Sequence, residues 1–513
     1  MRSIAATILV ASAAILAACT NSNAPVTPVA SQAKIGHVIV LFQENRSFNN
    51  LFAGFPGAST AMSGPCSRGP LPSPVPSGYS SIATWCTPGV NVPLHRITLE
   101  TTGVPLGGTD IGHDHASFLL EYDGGKMDGF DLIRLGTGGT GAYARLYPYA
   151  YVERSEVKPY WDLASTYALG DHMFSTATTD SFVAHQQIIA GTTRLNAHES
   201  LVDTPLTNFP WGCDSPPGEA TRIITTAEKV LPNGPFPCLT SYATMADVLD
   251  ASNVSWKYYV YSLDTTSSNG DWSGMVWNGF DAIAKVRCAK FRAPANCSGY
   301  GADWKAHVTE PSPKILTDIA GGKLPQVSWV IPGLRCSDHP ASGAKEGPSW
   351  IAEVVNAVGK SKYWHDTAIV ILWDDWGGFY DNVAPPQITY TSLGMRVPLI
   401  VVSPFAKRGY VSHTQYDFGS VLKFIEQTFG TGSLNASDAP AASIADTLDL
   451  AQKPASFKPV AAPNPHPQCR AGATEEEAPR LRSLSAGSLL RERYEASWAG
   501  RPAISQSHAD TPH

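Results

Sequence analysis

Apolar residues in this chain gather in short unbroken runs between loops, with only a few helical stripes. Runs at 37–42, 255–261, 326–331, 367–373 and 397–403 are rich in β-branched and aromatic residues and bounded by polar positions, the pattern of strands. Segments 241–252, 349–360 and 417–428 carry the three- and four-residue apolar spacing of helices. Ala368-Ile369-Val370-Ile371-Leu372 has no polar alternation, which predicts a strand covered on both faces. Strands alternating with helices predict an α/β fold whose largely parallel central sheet is covered by helices on both faces. The 44 glycines and 40 prolines divide the remaining sequence into loops, and no internal repeat stands out.

Two of these runs end in acids. Glu44-Asn45-Arg46-Ser47-Phe48-Asn49-Asn50 follows the first run, and Trp373-Asp374-Asp375-Trp376-Gly377-Gly378-Phe379-Tyr380-Asp381 continues the fourth. Carboxyl ends of strands are where open α/β sheets bind ligands. A carboxylate and an amide at one strand end form a hard-oxygen corner. Adjacent acids at another repel unless a cation separates them, so one divalent metal satisfies Glu44, Asn45, Asp374 and Asp375 together. Taken alone, the second stretch reads equally well as solvated acids before a Gly-Gly turn.

The chain's ends and charge narrow the partners. Arg2, an apolar stretch from Ile4 to Leu16 and small residues after it make an export signal too short to span a bilayer. Leu16-Ala17-Ala18-Cys19 resembles the lipobox of bacterial lipoproteins. That resemblance implies cleavage after residue 18, acylation of Cys19 and an exported, membrane-anchored protein of the cell envelope. The site would be the outer membrane or the periplasmic or extracellular face; an ordinary secretory signal is the alternative. Residues 19–34 then form a tether, 35–460 one catalytic domain and 461–513 a loosely held tail. A net charge of −7 with 16% charged residues excludes a nucleic-acid partner. Beyond Cys19, eight cysteines remain in an exported chain, so disulfides are expected; 66 with 86, 213 with 238 and 288 with 297 are plausible neighbours, although spacing leaves connectivity open. No CxxC or Cys/His motif indicates structural zinc.

The Glu44-Asn45-Arg46-Ser47-Phe48 stretch, Asp374-Asp375-x-Gly-Gly and Gly125-Lys126-Met127-Asp128-Gly129-Phe130 together resemble the bacterial phosphoesterase family. That family includes non-specific phospholipases C and related acid phosphatases. Ser337-Asp338-His339-Pro340, the run Val397 to Pro404 and Phe424-Ile425-Glu426 extend the match, in the family's order, from about residue 35 to about residue 430. The resemblance implies an alkaline phosphatase-like core with long loop insertions, one divalent metal and a hydroxyl nucleophile. Thr179-Asp180-Ser181-Phe182-Val183-Ala184-His185, followed by Gly191-Thr192, matches the nucleophile segment and puts Ser181 in that position. The family's prolines are missing there, so Thr179 is the alternative register. A serine hydroxyl needs such a metal to become nucleophilic at neutral pH.

His113, in Asp110-Ile111-Gly112-His113, and His339, in Asp338-His339-Pro340, match family positions suited to phosphoryl oxygens or the leaving group. His115 either joins His113 on one face of a strand or faces solvent. His185 and Trp376 are weaker substrate-binding candidates, as are His172 and His413 outside any motif. Trp376 stands where many members carry a polar residue, and it serves either as an apolar wall or as a choline-binding face. Calcium, magnesium, manganese and zinc all remain open, the all-oxygen set favouring a hard cation. Gly136 to Gly141 fits GxGxxG but lacks the strand–helix context of a dinucleotide site. The expected function is hydrolysis of a phosphate ester, phospholipids included, by a phospholipase C type diesterase. A phosphatase type monoesterase and a catalytically silent binding lipoprotein are the rivals.

Overall fold

The computed structural model describes residues 35–67, 86–87, 90–101, 110–136, 142–205, 210–263, 271, 273–293, 296–387 and 389–471. The signal, Cys19, the tether, residues 137–141 of the glycine-rich segment and the tail beyond 471 lie outside them.

An eight-stranded sheet organises the chain. Its strands are β1 (His37–Gln43), β2 (Ala168–Gly170), β3 (Trp256–Tyr259), β4 (Val308–Thr309), β5 (Val327–Val330), β6 (Thr367–Trp373), β7 (Leu399–Val402) and β8 (Tyr410–Ser412). The spatial order is β4-β3-β5-β1-β6-β7-β2-β8. Every strand runs the same way except β7, which is antiparallel to both neighbours. The predicted, largely parallel α/β sheet is therefore present, and all five predicted strands form within it. The central pair β1 and β6 is buried along almost its whole length, as the unbroken apolar runs required.

Helices cover both faces. Phe42 pairs with Leu372 and Gln43 with Trp373, and consecutive strand residues point to opposite faces. The Phe42 ring lies 5.5 Å from the His185 ring on one helix, α3 (Ser181–Ala190). The Trp373 ring meets Tyr160 of another, α2 (Lys158–Thr166), edge-on at 5.0 Å. These two helices thus lie on opposite sides of the sheet. The predicted helices at 349–360 and 417–428 form as α4 (Gly347–Gly359) and α5 (Phe418–Phe429). A capping box at Asp417 starts the latter, and Gly430 in the left-handed region ends it.

Four disulfides join Cys66 to Cys86, Cys213 to Cys238, Cys288 to Cys297 and Cys336 to Cys469. The first three are the neighbouring pairs that the sequence suggested. Cys213, Cys238, Cys288 and Cys297 gather in one place despite the lack of a local motif, with their sulfurs committed to two disulfides. No helix among the described residues is long and apolar enough to cross a membrane.

Candidate active site

The site forms where β1 and β6, paired in register, release their chains side by side. Glu44 and Asn45 follow β1 directly; Asp374 and Asp375 follow β6. All four are fully buried. The Asn45 backbone N–H donates to Asp374 Oδ1 at 3.0 Å, which ties the two strand ends together. Asn45 holds φ 54°, a left-handed conformation that asparagine tolerates better than most residues. Gly377 explains why the turn after Asp375 needs glycine: it sits at φ 60°, and a Cβ there would stand 2.2 Å from the Asn45 carbonyl oxygen. Its N–H donates to Asp375 Oδ1 at 2.8 Å, fixing that carboxylate.

A buried helix completes the site. Ser181 is its first residue, and its hydroxyl donates to Asp375 Oδ2 at 3.2 Å. His185, one turn later on the same face, brings Nε2 to 3.0 Å from Glu44 Oε1 and 4.0 Å from Asp374 Oδ2. Thr179 is engaged elsewhere, since its hydroxyl donates to Asp203 Oδ1 at 3.0 Å and accepts from the Asp203 N–H. The alternative register therefore leads away from the carboxylates.

The donor set fits a divalent cation. Glu44 Oε2, Asn45 Oδ1 and Asp374 Oδ2 are buried and accept no hydrogen bond among the described residues. Burial, followed by repulsion from Asp374, pushes the Glu44 carboxyl well above its ordinary range. Burial and Asp374 do the same to Asp375. Carboxylates placed so resist ionising together until a cation joins them. The ligand-bearing atoms of Glu44, His185 and Asp374 lie within 4.8 Å of one another. His185 thus adds a nitrogen beside the expected oxygen donors: burial lowers it to about 4, leaving a neutral imidazole able to ligate. The reason for favouring a hard cation weakens, because imidazole suits zinc-type ions.

His113 borders the carboxylates. Its Nδ1 donates to the Ile111 carbonyl at 2.6 Å, and Nε2 lies 3.0 Å from Asn45 Nδ2 and 3.7 Å from Asp375 Oδ2. Burial opposes a charge on the ring, but Asp375, Asp110 and Asp180 outweigh it and raise the group to about 10. The Asn45 amide can donate only to the neutral ring. Opposing demands on one buried imidazole suit a group that gives and takes a proton. His339 differs, because burial lowers it to about 4 and holds it neutral. Its ring lies 5.7 Å from that of Trp277, which also stacks on the His185 ring at 6.5 Å. Trp277 thus stands between the two histidines, and no local sequence pattern marked it.

His115 is neither on a strand nor facing solvent. Asp114 accepts from the Ser117 N–H and starts a helix, α1 (His115–Tyr122), of which His115 is the buried first residue. Its Nδ1 meets Thr178 Oγ1 at 2.8 Å. Trp376 is fully buried in an apolar cluster with Phe118, Met127 and Tyr380. Its indole N–H donates to Glu121 at 2.6 Å, and its ring stands edge-on to His113 at 6.2 Å. The wall reading fits this position and the cation-binding face does not.

The remaining motif residues hold these groups in place. Arg46, buried, donates to the carbonyls of Asp338 (2.7 Å) and Leu99 (3.2 Å) and to Asn50 Oδ1 (3.3 Å), so it joins the first motif to the segment carrying His339. Asp338 Oδ2 accepts from Tyr160 and Trp373 at 2.8 and 3.0 Å. Asp381 accepts from the Asn49 N–H and from both Nε and Nη2 of Arg396, while Ser47 donates to the Tyr380 carbonyl. Gly129 lies so close to Leu120 that a Cβ would stand 1.9 Å from its carbonyl oxygen, and Phe130 packs edge-on against Tyr380 at 5.1 Å. The Gly125–Phe130 motif therefore supports the site from behind.

This sheet, the paired strand-end acids and a matching family model over residues 35–432 define the class: the chain belongs to the Phosphoesterase family, whose members hydrolyse phosphoric esters. Among its curated relatives, a non-hemolytic phospholipase C of Pseudomonas aeruginosa is 26% identical over 79% of this chain and 55% of its own length. Phospholipase C A of Mycobacterium tuberculosis is 26% identical over 83% of this chain and 79% of its own. The chain thus spans about half the length of the Pseudomonas relative. A phosphonate monoester hydrolase from Silicibacter pomeroyi overlaps 66% of this chain and 90% of its own at 13% identity, with a TM-score of 0.31.

Proposed function

We propose that this protein is a metal-dependent phosphoric ester hydrolase with Ser181 as nucleophile, acting on phosphodiesters in the manner of a phospholipase C. The carrying observation is that Ser181 Oγ, itself bonded to Asp375, opens the helix whose next turn puts His185 beside Glu44. Glu44, Asn45, Asp374, Asp375 and Ser181 would hold one divalent ion, with His185 at its edge. That ion, when bound, supplies the positive charge that makes the hydroxyl acidic and draws electrons from phosphorus.

The chain's own residues do the rest. Asp375 orients the Ser181 hydroxyl and leaves its oxygen aimed at phosphorus. The N–H groups of the first turn after Ser181 and the helix dipole favour the phosphoryl oxygens. Ser181 gives its hydroxyl proton to Asp375 and attacks in line, the bond from phosphorus to the ester oxygen breaks as that oxygen takes a proton from His113, and a phosphoseryl enzyme forms. His113 then takes a proton from the incoming water, the serine oxygen leaves with the proton held by Asp375, and the phosphorylated head group is released. The neutral His339 donates a hydrogen bond to a phosphoryl oxygen, and Trp277 and Trp376 keep the histidine rings in place.

The phospholipase C names of the relatives support the diesterase reading. The monoesterase reading rests on the serine and the Asp-Asp pair. Arg2, the apolar stretch 4–16 and four disulfides support export, and the Leu16–Cys19 sequence supports a lipid anchor on Cys19 with residues 19–34 as tether.

The test compares hydrolysis of nitrophenyl phosphate and nitrophenyl phosphorylcholine, with chelator and Ser181→Ala controls. Chelator-sensitive turnover of the choline ester, lost in Ser181→Ala, is expected. Preference for the monoester would move the reading to a phosphatase. Full activity in Ser181→Ala would refute the nucleophile, and no turnover of either ester by metal-replete protein would favour a silent binding protein.

A further inference from the structure

A second cluster of metal-ligating side chains lies at the same edge of the sheet but shares no residue with the candidate active site. Asp171 follows β2 and His413 follows β8, and these strands are parallel neighbours. Asp171 N–H donates to the Ser412 carbonyl at 3.0 Å, so the two strand ends are locked in register. The side chain of Asp171 is fully buried, whereas those of His172 and His413 are 27% and 59% exposed. His172 Nδ1 lies 2.7 Å from Asp171 Oδ1, and His413 Nδ1 lies 2.9 Å from both Asp171 oxygens.

We infer that Asp171, His172 and His413 form a second divalent-metal site, open to solvent and suited to a borderline ion such as Zn²⁺. Two imidazoles and a carboxylate are the donor types that such ions select over calcium or magnesium. Ligand atoms about 2.0–2.2 Å from a tetrahedral zinc stand roughly 3.3 Å apart, so the present separations need only a small opening. The metal takes the place of the two Nδ1 protons, which leave to solvent; no other bond changes. Three protein ligands leave a fourth position for water, and the exposed rings provide the way in.

The supports that orient ligands are also present. The Ser59 N–H donates to Asp171 Oδ2 at 2.8 Å. Arg396 Nη1 donates to the Asp171 carbonyl at 2.7 Å, and its charge is already neutralised by Asp381. The His172 ring rests edge-on against Phe174 at 6.4 Å, and the two imidazoles stand nearly perpendicular at 6.1 Å. Perpendicular rings leave both nitrogens able to approach one ion without the rings colliding.

The full chain, stripped with chelator, is titrated with Co²⁺ and then Zn²⁺, with stoichiometry read by equilibrium dialysis and Co²⁺ ligation by visible absorption. Wild type, His413→Ala, Asp171→Asn and Asp374→Asn are compared. The expected result is one equivalent that survives Asp374→Asn and weakens at least about 100-fold in His413→Ala and Asp171→Asn. Zn²⁺ should also raise the melting temperature of Asp374→Asn but not of Asp374→Asn/His413→Ala. His413 is a surface residue, so its variant carries the test should Asp171→Asn fail to fold. Identical stoichiometry and affinity in His413→Ala and wild type would overturn the site, as would a wild type whose metal is wholly lost in Asp374→Asn. Either result would leave the cluster as an ion pair between a carboxylate and two histidines.

Discussion

Glu44 Oε1 and His185 Nε2 meet at 3.0 Å across 141 positions of sequence, and through them the end of β1 is tied to the helix that begins with Ser181. His185→Gln should therefore weaken metal binding about 10–100-fold while leaving the fold intact. Activity should return at saturating metal, because the nucleophile is untouched. Metal titration of kcat/KM checks this, and unchanged metal affinity would show that His185 serves only packing.

Arg46 satisfies three buried acceptors, one on its own helix-start segment at Asn50 and two on distant segments at Leu99 and Asp338. Arg46→Met keeps much of the volume and strands all three. A loss of about 3 kcal/mol or more is expected, since each orphaned buried acceptor costs roughly 1–3 kcal/mol. Denaturant midpoints measure it. A variant within 1 kcal/mol of wild type, on the scale of about 1 kcal/mol for an ordinary hydrogen bond, would mean that the acceptors find other donors.

Gly377→Ala tests the turn that fixes Asp375. Its φ of 60° and the 2.2 Å approach to Asn45 oxygen leave no room for a methyl group. Backbone strain alone costs about 1–3 kcal/mol, and the overlap must displace Asn45 or Asp375. Activity should fall more than stability does. Equal kcat/KM for variant and wild type would remove the turn from any role in positioning the site.

Asp417 offers a pH test away from the metal. Burial, against hydrogen bonds from Ser420 and Thr176, raises its carboxyl to about 7. With an unfolded value of about 3.9, the folded state binds more protons between about pH 4 and pH 7. The contribution to stability is thus complete below pH 4, declines as pH rises and is gone above about 7. Asp417→Asn retains a capping side chain without the titration. Melting temperatures at pH 5 and pH 8 should show a smaller decline in the variant than in wild type, and parallel declines would exclude Asp417 as a source.

The strands that build the core were legible because β1 and β6 are unbroken apolar runs, and their trailing acids marked the site before any fold was known. The short strands β2 and β8 were not, since three residues of Ala-Leu-Gly or Tyr-Val-Ser carry no periodicity. His172 and His413 stood only as isolated weak candidates, and their grouping with Asp171 was hidden for the same reason, as only the pairing of those strands joins them. His185 had a readable signal in its four-residue spacing from Ser181, which places both on one face of a helix. His115 was misplaced because the strand alternative overlooked Asp114 as a helix cap. Trp277 depends wholly on tertiary packing.

The bond between Cys336 and Cys469 gives assembly a direction. Cys336 lies three positions before His339, while Cys469 is among the last residues described. Chains emerge from synthesis with their amino-terminal end first. The corner of Glu44, His185 and Asp374 can close once residue 375 has emerged, but the loop bearing His339 gains its covalent tie only when nearly 100 further residues have followed and an oxidant is at hand. The last lock on the candidate site is thus a report that the chain has been made at least as far as residue 469 and stands in an oxidising compartment.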